Sequence, residues 1–155
     1  MASAAAEAFS HDRLREIALM AAVEVQHYLS RARDFFEGMK FLRDDLDAFK
    51  FSSALLGRHC AISYCDALRT GMGSTKVSSD DHSSATNNLK SLLASRRFEG
   101  RQGLHHLERL LSKKSSVAYA SEAAREVQVE DIVKRAERFA KWAEETGTTL
   151  KIEGW

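Results

Sequence analysis

Apolar residues recur along the first third of the chain at alternating spacings of four and three: Leu14, Ala18, Ala21, Val25, Tyr28, Ala32, Phe35 and Met39. That rhythm keeps one face of a helix apolar over many turns. Its other faces carry Arg13, Arg15, Glu24, Arg31, Arg33 and Asp34. Ser10 is the expected N-cap, and the seam gives out between Gly38 and Asp47, with a bend or short turn at DDLD. A second helix is expected from about Lys50 to Arg69, with Leu55, Ile62, Cys65 and Leu68 as apolar contacts and Gly57 and Ala61 admitting a close neighbour.

The glycines and serines of TGMGSTKVSS read as a loop. Ser79 fits an N-cap, and Asp80 and Asp81 suit the positive end of a third helix, expected from Asp80 to Ser112. Leu89, Leu92, Leu93, Leu104, Leu107 and Leu111 mark its apolar face, and Gly100 and Gly103 predict a kink or break. REVQVE alternates and predicts a short extended piece. Glu130 to Thr146 is the clearest amphipathic helix: Ile132, Ala136, Phe139 and Ala143 form one stripe, and Gly147 is placed to close it. The tail to Trp155 reads as a short strand or a loosely packed end. Together these elements predict an all-α protein: a single domain over residues 1–155, core about 11–146, built as an up-and-down bundle of four to five helices.

Composition fits that picture. The chain has no proline, so nothing interrupts long helices by removing an amide donor. Its 155 residues suffice for one core, and 44% apolar with 29% charged residues is the balance of a soluble globular protein. A formal net charge of +1 demands no nucleic acid but leaves room for a local basic patch. MASAAAEAFSHD lacks the basic-then-apolar order of a secretory signal, and no stretch approaches the roughly 18 apolar residues of a membrane span. Cys60 and Cys65, five positions apart, point in different directions on a helix and read as buried thiols of a reducing cytoplasm. No cofactor and no metal site are expected, because the ligand pairs typical of zinc are missing.

Two polar groups carry the candidate chemistry. His59, Ser63 and Asp66 share one helix face, and His82 begins the next helix across the loop. They read either as a buried hydrogen-bond network that fixes helix pairing or as a small-ligand or metal site. Further on, Arg101 and His106 form an Arg-x4-His pair with His105 adjacent, within a basic stretch that includes Arg96, Arg97 and Arg109. A histidine can move the proton of a ribose 2′-hydroxyl while an arginine holds the phosphate. On a straight helix, however, Arg101 aligns with His105 and not with His106, so a solvated basic face is the simpler account.

The segments YLSRARDFFEGM (28–39), SSALLGRHCAISYCDAL (52–68), SSDDHSSATNNLKSLL (78–93), LERLLSKKSSVAY (107–119) and VEDIVKRAERFAKWAEE (129–145), in that order and spacing, resemble the HEPN superfamily over about residues 11 to 146. The similarity is greatest to small stand-alone bacterial HEPN-like proteins. It implies a cytoplasmic, dimeric helical domain of a stress or defence setting. The implied ligands are RNA or a nucleotide, and the implied partner is a nucleotidyltransferase or an antitoxin. Active members use an Arg-x4–6-His motif as toxin-type, metal-independent endoribonucleases. KKSSVAY occupies the equivalent place here, so Lys113 or Lys114 stands for the arginine and Tyr119 for the histidine. Lysine keeps phosphate affinity but lacks the bidentate fork, and a tyrosine is a weak base at neutral pH. The resemblance therefore implies binding without assured catalysis, with Arg101 and His106 as the second catalytic candidates.

Overall fold

The computed structural model describes residues 2–74, 82–112 and 122–155. Among them the chain forms five helices and no strand: α1 (Ala2–Arg43), α2 (Leu46–Gly71), α3 (His82–Ser95), α4 (Arg101–Leu111) and α5 (Glu122–Thr149). The expected all-α, up-and-down bundle is the architecture observed. α1 and α2 form a long antiparallel hairpin, α5 packs mainly on α2, and the short helices α3 and α4 close the bundle against α2 and α5.

The seam of α1 enters the core only from its middle. Val25, Leu29, Ala32 and Met39 are buried, but Leu14 is 62% exposed and residues 10–20 are all exposed. The helix also begins at Ala2, so Ser10 lies inside it and is not its cap. The turn expected at DDLD is present: Asp45 caps α2 through its side chain, which accepts the Ala48 amide at 3.3 Å. α2 therefore starts earlier than Lys50 and carries a kink at Phe49 (φ −124°, ψ 20°). Leu55 faces outward at 56% exposure, while Cys65 and Leu68 are buried. Gly57 performs the role expected of it: a methyl there would meet the Met39 sulfur and the Ala136 Cβ, so α1 and α5 both close on α2 at this point.

The break expected near Gly100 is present and divides the third helix at Arg96–Gly100 into α3 and α4. Two other expectations give way to packing. REVQVE is helical, being the start of α5, because its alternation is short and Val129 is buried in a helical stripe with Ile132, Val133 and Ala136. Gly147 does not end α5. It lies within the helix where a side chain would collide with the Trp155 ring, so the tail is packed and forms turns, with Ile152 buried against Gly71. Among the described residues no helix is long and apolar enough to cross a membrane.

Candidate functional site

α3 and α5 end alike. In each, the amide three residues past the helix returns to a carbonyl in the last turn: Phe98 N to Leu93 O at 3.0 Å, and Ile152 N to Gly147 O at 3.0 Å. The preceding residue closes a second bond over fewer residues, Arg97 N to Ala94 O and Lys151 N to Thr148 O. This is the Schellman arrangement, whose turning residue adopts positive φ and is commonly glycine. Here it is a basic residue in both cases, Arg97 at φ 55° and Lys151 at φ 52°.

At the end of α3 the turn lays half-buried Phe98 beside buried Leu93 and opens a cleft of about 430 Å³ between α3 and α4. Leu93, Leu104 and Gly100 are its buried floor. The cations Lys90 from α3 and Arg101 from α4 stand on its exposed rim, with His105 of α4 beside them. Two acids also line it. Glu99 accepts the Arg101 amide at 2.9 Å and so caps α4 at its N-terminus, whereas Glu108 lies two turns along the same face of α4 as Arg101. Among the described residues no ion pair joins Lys90, Arg101 or Glu108 to another side chain. α4 is held in register from behind, where the Trp142 ring of α5 lies directly on Gly103.

His106 points elsewhere. Burial lowers its pKa first, and the positive charges of Arg135 and Arg138 on α5, with His105, lower it further. Its Nδ1 is buried without a hydrogen-bond partner among the described residues. Arg101 and His105 thus share the cleft and His106 does not, as the helical alignment predicts. Lys113, Lys114 and Tyr119 lie outside the described residues, and His82 is the first residue of α3 with its side chain outside them.

The His59–Asp66 pair is not brought together. His59 is exposed and sets its ring against Phe35, 5.5 Å between centroids. Asp66 instead pairs with Arg69 at 3.2 Å, and buried Arg69 donates through Nε to Asn88 Oδ1 at 2.8 Å, pinning α3 to α2. Burial pushes the Asp66 carboxyl up to about 6, against the opposing pull of Arg69. Among the described residues no group of three or more histidine, cysteine or acidic side chains could hold a metal ion. Burial also pushes the thiols of Cys60 and Cys65 up to about 12, which leaves both unreactive at neutral pH.

The polar centre that sequence reasoning missed is Glu144 on α5. Its carboxylate accepts Arg33 Nε and Nη2 at 2.8 and 2.9 Å, Tyr64 Oη at 2.7 Å and Trp155 Nε1 at 3.2 Å. Partial burial would raise its pKa, but the bonds from Arg33 and Tyr64 outweigh that and hold it below the usual carboxylate range. This clasp ties α1, α2, α5 and the tail together. The only signal in the sequence was Arg33 on the polar side of α1, whose partner stands 111 positions away.

No family model matches the chain, and neither a curated protein nor a solved structure matches it.

Proposed function

We propose that the chain is a HEPN-like RNA-binding helical bundle that holds phosphates along α4 without cleaving them. The observation that carries the proposal is the convergence of Lys90, Arg101 and His105 on one cleft, with Arg96 and Arg97 exposed in the turn beside it. Around the cleft Lys90, Arg96, Arg97 and Arg101 outnumber the acids Glu99 and Glu108, and an excess of cations on one face of a chain of net charge +1 is the electrostatic footprint of a polyanion site. The five-helix order and the resemblance to the HEPN superfamily support the same reading and extend it to a cytoplasmic homodimer with a nucleotidyltransferase or antitoxin partner.

The endoribonuclease alternative sets a basic residue and either His106 or Tyr119 on one phosphate. Tyr119 lies outside the described residues, while Arg101 and His106 face different sides of α4 and His106 is directed at α5. Titration of a fluorescein-labelled 20-nucleotide single strand from 50 to 200 mM salt tests the proposal. Affinity should fall with a log–log slope of about −0.7 per phosphate contact. Lys90→Ala with Arg101→Ala should weaken binding severalfold, and the strand should remain intact on a denaturing gel. No binding at 50 mM salt would refute the proposal. Chelator-resistant cleavage lost in His106→Ala would restore the nuclease.

A further inference from the structure

Phosphate contacts explain the rim of the α3–α4 cleft but not its interior. A site for a bare phosphate chain needs cations on an open surface. This one has depth, an apolar floor of Leu93 and Leu104, an aromatic ring at one edge and an acid facing in. Its volume of about 430 Å³ lies within the range of small-molecule sites. The same helix face presents Arg101 at one end and Glu108 two turns later, about 10 Å apart along the axis. The span from a nucleotide's phosphate to the far edge of its base is of that order.

We infer that the cleft takes one nucleotide of a single-stranded RNA, with its base against Phe98 and its phosphate on Arg101 and Lys90, and that Glu108 selects bases carrying an exocyclic amine. The inference rests on the RNA-binding reading and adds a base subsite to it. Each group does what its chemistry allows. An aromatic ring beside an apolar floor offers any base a stacking surface. A carboxylate accepts hydrogen bonds and offers none, so it suits the amino groups of cytosine, adenine and guanine better than uracil, whose single N3–H lies between two carbonyl oxygens that repel it. Glu99 is the less suited of the two acids, because one of its oxygens is held on the Arg101 amide. Glu108 has no ion-pair partner among the described residues.

The test compares labelled decamers of cytidylate and uridylate by fluorescence anisotropy at fixed salt, with the full chain. The wild type should prefer the cytidylate strand roughly tenfold, the scale of one good polar base contact. Glu108→Ala should erase the preference by strengthening uridylate binding. Phe98→Leu, which keeps the apolar contact with Leu93, should weaken both strands alike, and circular-dichroism melts should confirm that both variants fold. Equal affinity of the wild type for the two strands would overturn the base subsite and leave the RNA-binding reading standing. Binding of neither strand would overturn both. A preference that survives Glu108→Ala would also overturn the inference, because the selection would then lie outside this acid.

Discussion

α3 and α5 end in the same backbone turn, each with a basic residue where glycine is usual, yet the two ends lead to opposite surroundings. Past α5 the tail folds back, Trp155 covers Gly147, and Arg33, Tyr64 and Trp155 all donate to the Glu144 carboxylate. Past α3 the chain enters α4, and Lys90, Arg101 and Glu108 are left facing an open cleft. The contrast separates two uses of polar side chains. A carboxylate held by several neighbouring donors is part of the frame. Charges that converge on a cleft without internal partners are available to something outside the chain.

The largest expected effect tests how far the cleft depends on the frame. Gly103→Val drives a side chain into the Trp142 ring and should cost about 2–3 kcal/mol. Because α4 is then displaced, RNA affinity should fall together with the unfolding midpoint in urea; affinity unchanged in a destabilised variant would show that α4's seat does not shape the site. Next is Glu144→Ala, which strands Arg33, Tyr64 and Trp155 and should cost about 2 kcal/mol at this partly exposed position. Here RNA affinity should hold, since the clasp is remote from the cleft. A parallel loss of affinity would merge the two regions and break the comparison.

Acid titration adds a third distinction. Asp66 is raised to about 6 by burial, above its unfolded value of about 3.9. The folded state therefore holds this proton more tightly. Its contribution to stability is fully present below about pH 4 and is lost as pH rises through about 6, by about 1–2 kcal/mol after allowance for partial exposure. Glu144 is lowered, so its contribution is present above the unfolded carboxylate range and is lost as pH falls through its depressed value. Urea melts between pH 4 and 7 should show a declining component that Asp66→Asn removes. An unchanged slope in that variant would assign the titration to another group.

The smallest effects fall on the two turning residues. Arg97→Gly and Lys151→Gly should each raise stability by about 0.5–1 kcal/mol, because glycine adopts positive φ without the side-chain clash. Only Arg97→Gly should also weaken RNA binding, by a few-fold at 50 mM salt and less at 200 mM. Equal RNA binding by both variants would remove Arg97 from the basic face.

These two residues also show where sequence reading stops. Gly147, Gly100 and Gly103 look like helix punctuation. Gly147 and Gly103 instead lie inside helices beneath tryptophan rings, and Gly100 is the N-cap of α4, while Arg97 and Lys151 take the turning positions. A glycine's signature is the same whether it frees the backbone or admits a ring, and only the neighbour decides. The candidate site was legible in part. The alignment of Arg101 with His105 follows from helical periodicity and is observed at the cleft. Glu108 follows from the same periodicity, whereas Lys90 and Phe98 joined them only through the break between α3 and α4.

By itself the sequence determined the helices, the DDLD turn, the close approach at Gly57 and the all-α class, because periodicity and capping act over one to four residues. Tertiary structure decided which polar groups meet. Asp66 turned from His59 to Arg69, which itself reaches across to Asn88, and Glu144 gathered donors from α1, α2 and the tail. Such pairings depend on which helix faces are pressed together and on which charges burial leaves in need of a partner, and neither is written in local spacing.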